Sequence, residues 1–110
     1  MEIHKKDENG TPVVAVTGRV DAVTAPGLET ELSGCVDDGC GAIVLDLREL
    51  EYISSAGLRV ILATAKRLKI SGGDLLLTGL EGPVREVFEI SGFYSIFQVF
   101  DTPDEALKKV

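Results

Sequence analysis

The spacing of hydrophobic residues differs between segments of this chain. Some segments have the pattern of strands and others the pattern of helices. The run from Ala42 to Leu47 is almost entirely apolar, as expected for a central strand covered by helices on both faces. The segment 56–70 instead repeats apolar residues at helical spacing. Its predicted buried stripe consists of Leu58, Ile61, Leu62, Ala65 and Leu68. The pattern therefore predicts a buried strand followed closely by an amphipathic helix.

The same reading, extended over the whole chain, predicts strands that alternate with helices after an initial hairpin. The predicted strands are 1–6, 12–20, 42–47, 74–78 and 96–100, and the predicted helices are 24–38, 56–70, 82–91 and a last one from 102. Asn9-Gly10 is a typical hairpin turn, and Thr102, Pro103 and Glu105 form a capping box. This order predicts a single α/β domain, with a mostly parallel sheet of about five strands and about four helices.

Composition narrows the class of protein. The chain has 110 residues, of which 45% are apolar, and its net charge is −7. This size suits one domain, and the acidic balance argues against nucleic acid as a partner, because binding phosphates needs clustered Lys and Arg. No apolar run approaches the roughly 20 residues that cross a bilayer, and the charged N-terminus lacks a signal-peptide pattern. We therefore expect no membrane insertion and a cytoplasmic location.

Residues for metal or hydrolytic chemistry are scarce. His4 is the only histidine, and with Cys35 and Cys40 it falls short of the four ligands that structural zinc prefers. A Ser-His-acid triad, a phosphate-binding glycine loop and a dinucleotide fingerprint are all missing from the sequence. Cys35 is in register with the apolar positions of its helix and is predicted to lie in the core. We expect no metal, no cofactor, no disulfide and no catalysis.

The most informative segment joins the buried strand to the second helix. A short acidic linker, 48–51, leads to Ser54, Ser55 and Gly57, which open the helix. A helix N-terminus has unpaired N–H groups and a dipole that favours negative charge. It suits a serine that gains and loses a phosphate. Serine is also a preferred N-cap, so phosphorylation and simple capping are both compatible with the spacing.

Residues 52–58, Tyr-Ile-Ser-Ser-Ala-Gly-Leu, resemble the signature of the STAS family, the domain of anti-sigma factor antagonists. The resemblance extends to residues 16–26 and covers nearly the whole chain. It implies that Ser55 is the phosphoacceptor. Ser54, which stands where many members carry aspartate, is the second choice. The resemblance also implies that Asp21 lies near Ser55, although this aspartate could equally cap a turn. The implied partner-binding residues are Asp21, Ser54, Ser55, Ala56, Gly57, Arg59 and Ala63.

The resemblance implies a bacterial regulator that switches partners. Its unphosphorylated form would bind an anti-sigma factor serine kinase and release the sigma factor. Phosphorylation of Ser55 would end that binding, and a serine phosphatase would restore it. The basic residues of the second helix form either a solvated face or a docking face. One alternative is a STAS subunit of a membrane lipid ABC transporter that grips its ATPase. Another is a nucleotide-binding or phosphotransfer domain, against which the missing phosphate loop argues.

Overall fold

The computed structural model describes all residues, Met1–Val110. Six strands form the sheet: β1 Glu2–Glu8, β2 Thr11–Val20, β3 Ala42–Asp46, β4 Leu50–Ile53, β5 Asp74–Thr78 and β6 Gln98–Phe100. Four helices accompany them: α1 Ala25–Asp37, α2 Ser55–Ile70, α3 Gly82–Ile90 and α4 Pro103–Leu107. A 3-10 turn, Phe93–Ser95, precedes β6 and shortens the last strand relative to the predicted 96–100. The predicted α/β class is confirmed.

The main sheet has the order β1-β2-β3-β5-β6. β1 and β2 form an antiparallel hairpin, and the other pairs are parallel. Asn9 and Gly10 make the two-residue turn with φ of 53° and 91°, the left-handed conformation that this hairpin type requires. Helices must cross over the sheet to join its parallel strands, so both faces of β3 and β5 become buried.

The two faces of the sheet are covered unequally. Helices α1, α2 and α3 cover one face, and the large core there includes Val14, Val16 and Phe88. The short helix α4 covers the other face with Ala106, over a small core that includes Val13 and Val44. The alternation of Val13 and Val14 between the two cores follows from the two-residue period of a strand. Cys35 is 3% exposed in the large core, as predicted, while Cys40 is half-buried.

The linker predicted at 48–51 needs correction, because Leu50–Ile53 forms β4, one strand more than the five that the sequence predicts. This strand pairs in parallel with the end of β2 and lies off the main strand order of the sheet. β2 can turn toward β4 because Gly18 adopts a φ of +84° and the register shifts between Gly18 and Arg19. The Gly18 N–H then donates to the Glu49 carbonyl at 3.1 Å. Glycine suits such an irregularity because it alone adopts positive φ at little cost.

The buried stripe of α2 is also rotated from the predicted one. Val60 and Thr64 are buried, whereas the predicted Leu58 and Leu62 are half-buried. Ile61 and Leu68 lie in the core as predicted. The hydroxyl of Thr64 donates to the Val60 carbonyl at 2.8 Å, so this buried polar group is satisfied within the helix. None of the helices is long and apolar enough to span a bilayer.

Candidate functional site

The two serines of the candidate site occupy different positions. Ser54 is the N-cap of α2, with extended backbone at φ −94° and ψ 174°. Its N–H donates to the Val20 carbonyl at 2.8 Å, which joins the helix start to the end of β2. Its Oγ is buried and has no hydrogen-bond partner. Ser55 is the first helical residue and is exposed. Only Ser55 offers its hydroxyl to an incoming enzyme.

The N-terminus of α2 has no side-chain cap. Ser54 forms no side-chain capping bond, and the first turn contains no acidic residue. The capping role that the sequence allowed for these serines is therefore absent. The first N–H groups of a helix have no partner within the helix, and the dipole gives this end a partial positive charge. No acidic residue of the first turn neutralises that charge, so the helix end favours an anion attached to Ser55.

Gly57 fixes where α2 begins. It is buried, and a Cβ atom at this position would lie 2.7 Å from side-chain carbons of both Val20 and Ile53. Those two residues end β2 and β4 and are paired in the ladder. Only a hydrogen atom fits between the helix and the two strands. The structure thus places Gly57 inside the molecule, where it positions its exposed neighbours, rather than on the surface expected to meet a partner.

Asp21 and Ser54 lie at neighbouring strand ends. Asp21 follows Val20, the last residue of β2, and Ser54 follows Ile53, the last residue of β4, and Val20 and Ile53 are paired. The Asp21 Oδ1 accepts hydrogen bonds from the N–H groups of Val23 at 3.0 Å and Thr24 at 3.1 Å. The backbone bond from Thr24 contributes most to holding the pKa of Asp21 below its usual range, and the bond from Val23 adds to it. The turn-capping interpretation of Asp21 is confirmed.

Thr24 lies in the same turn as Asp21. It precedes α1 but makes no side-chain capping bond. Its hydroxyl donates to the Arg19 carbonyl at 3.1 Å and accepts from the Asp21 N–H at 2.9 Å. The turn between β2 and α1 is therefore cross-linked by side chains and rigid. Val23, at its tip, is 87% exposed.

The sequence pattern did not point to a contact between Arg19 and Tyr52 beside the site. The two residues are partners in the β2–β4 ladder. The Arg19 guanidinium carbon lies 4.3 Å from the centre of the Tyr52 ring, in a cation–π contact. Tyr52 remains 40% exposed. This contact depends on β4, and only a prediction of that strand could have revealed it.

Five of the exposed residues of α2 form one line along the helix. We call this line the α2 stripe: Ser55, Arg59, Ala63, Lys66 and Ile70. Spacings of three and four residues place its members on one helix face. The stripe brings together Ser55, Arg59 and Ala63, three of the predicted partner-binding residues. Ala56 lies off this line and is half-buried.

The basic residues of α2 do not share one environment. Arg67 pairs with Asp37 at 2.7 Å and Lys69 with Asp74 at 3.8 Å. Arg59 and Lys66, both on the α2 stripe, are absent from every ion pair in the chain. Whether the stripe is a solvated face or a docking face stays a prediction. No group of three or more His, Cys, Asp or Glu side chains is arranged to hold a metal ion.

Comparison with known proteins places the chain in a family. The model of the STAS domain matches residues 2–106. The chain belongs to the STAS domain family. BtrV of Bordetella bronchiseptica, which is named as a candidate anti-sigma factor antagonist, is 49% identical over 106 residues, covering 96% of this chain and 91% of that protein. RsfB of Mycobacterium tuberculosis, named an anti-sigma-F factor antagonist, is 32% identical and covers 94% of this chain and 84% of its own length.

A solved structure of an anti-sigma factor antagonist from Mycobacterium paratuberculosis superposes on this STAS domain with a TM-score of 0.90. The two chains are 34% identical, and the match covers 99% of this chain and 92% of that one. The arrangement of strands and helices described above is thus the family's arrangement over the full length of the chain. It includes the segment that carries Ser54 and Ser55.

Proposed function

We propose that this protein is an anti-sigma factor antagonist that binds its anti-sigma factor through the start of α2 and the α2 stripe. Membership of the STAS family and the names of the relatives BtrV and RsfB support this function. The observation that carries it is the exposed Ser55 at the first position of a helix whose start has no capping bond and no acidic group. Such a position accepts a phosphate without disturbing the fold.

The proposed partner is an anti-sigma factor that is also a serine kinase. In the unphosphorylated form the neutral Ser55 and the residues beyond it pack against this partner and displace the sigma factor. Phosphorylation adds about −1.5 to −2 charges. Within the free chain the helix N-terminus stabilises that charge, whereas a packed interface must desolvate it. A hundredfold loss of affinity corresponds to about 2.7 kcal/mol, which one desolvated phosphate readily supplies.

The choice of Ser55 over Ser54 rests on access. A kinase must bring the acceptor oxygen in line with a phosphoryl group, and the Ser54 Oγ is buried. Ser55 is exposed on a rigid helix start that Gly57 and the Ser54–Val20 hydrogen bond position. In this proposal Asp21, Ser54 and Gly57 shape the site, while the exposed Ser55 touches the partner.

The experiment combines phosphate mapping with binding. Incubation with a serine-kinase anti-sigma factor from the same genome and ATP should add one phosphate, located at Ser55 by peptide mass spectrometry. In titration calorimetry, Ser55→Asp should bind that partner at least tenfold more weakly, and Ser55→Ala should bind as tightly as the wild type. Both variants should melt near the wild-type temperature, since a surface change away from packing costs less than about 0.5 kcal/mol.

Two results would contradict this function. Phosphate found on Ser54 with Ser55 unmodified would show that the buried hydroxyl is the acceptor. Equal affinities of Ser55→Asp and Ser55→Ala would show that charge at this position does not control binding. A serine phosphatase that removes the phosphate and restores binding would complete the cycle.

A further inference from the structure

The charges of this protein are segregated. Helix α2 has sixteen residues with four cations, Arg59, Lys66, Arg67 and Lys69, and no carboxylate. All 18 acidic residues of the chain and its seven other Lys and Arg residues therefore lie outside this helix. A cationic helix on a strongly acidic domain creates a local potential opposite in sign to the rest of the surface. That contrast indicates that the surface of α2 prefers negatively charged partners, unlike the rest of the domain.

Two of the four Lys and Arg side chains without a partner lie on the α2 stripe. Elsewhere Lys5, Lys6, Arg48 and Arg85 have carboxylate partners, and Arg19 stacks on Tyr52. Beyond Arg59 and Lys66, only Lys108 and Lys109 at the chain end lack such a contact. In a domain with excess carboxylates, the stripe thus keeps two cations free of internal pairing.

An exposed apolar side chain ends the same line. Ile70 is 88% exposed at the last position of α2. It lies fifteen residues beyond Ser55, which at 1.5 Å per residue is roughly 22 Å along the helix axis. Between them, the exposed Ala63 is small and allows a partner to approach the helix backbone closely. The stripe therefore offers an acceptor serine, two cations and an apolar end.

We propose that the α2 stripe docks along its whole length on an acidic surface of the anti-sigma factor, which presents carboxylates opposite Arg59 and Lys66 and an apolar pocket for Ile70. The inference rests on the proposed function and names the chemistry of its partner surface. Charge complementarity between the stripe and carboxylates would set the orientation of the complex and raise the association rate.

This docking geometry gives the phosphate a second effect. Ser55 and Arg59 are four residues apart, with the anionic position N-terminal to the basic one, which is the favourable order for an ion pair on a helix. A phosphate on Ser55 would therefore attract the Arg59 side chain and remove it from the partner's carboxylates. It would also place its own negative charge against the acidic surface. One modification thus reverses the charge of the first half of the stripe.

The test measures binding to the same purified anti-sigma kinase by titration calorimetry. Lys66→Glu, some eleven residues from the acceptor, should weaken binding at least tenfold at low ionic strength and less at high ionic strength, because salt screens the interaction. Lys109→Glu is the matched control, since it makes the same charge change at an exposed, unpaired lysine outside the stripe. It should change the affinity less than twofold.

A second matched pair tests the apolar end. Ile70→Ser should weaken binding about tenfold, a loss of about 1.4 kcal/mol. Ile90 is the control, because it is 87% exposed at the last position of α3, and Ile90→Ser should bind as the wild type does. Thermal melts of all four variants should coincide with the wild type, since each side chain is exposed.

The outcomes separate this inference from the function beneath it. If Ser55→Asp abolishes binding while Lys66→Glu and Ile70→Ser bind as tightly as their controls, the function stands and the extended acidic contact is overturned. If the wild type binds none of the serine-kinase anti-sigma factors of its genome, the proposed function fails and the inference fails with it. A tenfold or greater loss confined to the stripe variants supports both.

Discussion

Helices α2 and α4 begin in different ways within the same domain. Both follow an N-cap residue with extended backbone, Ser54 and Thr102. At α4 the Thr102 hydroxyl accepts from the Glu105 N–H at 3.2 Å, and Glu105 in turn accepts from the Asp101 N–H at 3.3 Å. At α2 the hydroxyl of the cap residue makes no bond. Side chains thus cap the N-terminus of α4, whereas the N-terminus of α2 has no side-chain cap.

The difference follows from what else holds each helix. α4 has only five residues and buries one of them, Ala106, so its formation depends on local bonds because short helices are marginal alone. α2 has sixteen residues and five buried positions, and packing holds it without a cap. A helix stabilised by packing can keep its N-terminus free for a charge that comes and goes. A side-chain cap thus stabilises α4, whereas packing stabilises α2 and leaves its N-terminus uncapped.

The largest effect is expected from disturbing the packing that stabilises α2 in place of a side-chain cap. Gly57→Ala should lower the free energy of unfolding by about 1–3 kcal/mol, because the new methyl group overlaps Val20 and Ile53. It should also slow phosphorylation of Ser55, since the helix start must move. Chemical denaturation and a kinase time course measure the two effects.

Gly34→Ala provides the control. Gly34 lies within α1, and a Cβ there meets nothing within 4 Å. The substitution should raise the free energy of unfolding by about 0.4–1 kcal/mol, because it restricts the unfolded chain and improves helix propensity. Equal stability changes for the two variants would show that the contact of Gly57 with the strand ends is unimportant.

A smaller effect separates the two cap residues directly. Thr102→Ala should cost about 1 kcal/mol, because it removes a capping bond. Ser54→Ala should leave the stability unchanged or raise it, because it removes a buried hydroxyl that has no partner. Urea titration of both variants gives the comparison, and a loss of about 1 kcal/mol for Ser54→Ala would mean that its hydroxyl caps the helix in solution.

The smallest effect is expected for Asp21. Its carboxylate accepts backbone hydrogen bonds in the turn after β2, whereas the start of α2 has no such side-chain acceptor. The pKa of Asp21 in the folded state lies below the ordinary value of 3.8. Its contribution to stability is therefore fully present above the unfolded pKa and is lost as the pH falls through the folded pKa. Asp21→Asn keeps an acceptor for the turn but removes this titration. The stability difference between wild type and Asp21→Asn should shrink as the pH falls below about 4, and a constant difference would contradict it.

Local chemistry made much of the fold predictable. The Asn9-Gly10 turn, the apolar run of β3 and the cap of α4 at Thr102 each depend on residues next to one another. The start of α2 and the position of Ser55 were predictable for the same reason. Cys35 was assigned to the core because its helical register alone places it there.

Features that depend on distant contacts escaped prediction. Strand β4 contains Glu51 and is only four residues long, and it forms because β2 bends at Gly18 and offers it free backbone groups. The buried stripe of α2 is rotated toward Thr64 because Gly57 sets the helix against Val20 and Ile53. The Arg19–Tyr52 contact then follows from β4. Each of these misses comes from a contact across the fold, which no local pattern encodes.

The bend of β2 at Gly18 has an evolutionary consequence. It divides one strand into a lower part, which pairs with β3 and builds the core, and an upper part, which pairs with β4 beneath the serines. Substitutions at exposed positions of this pairing, such as Arg19 in β2 or Tyr52 in β4, lie outside the β2–β3 ladder. The exposed surface beside the serines can therefore vary in evolution while the strands that build the core keep their pairing.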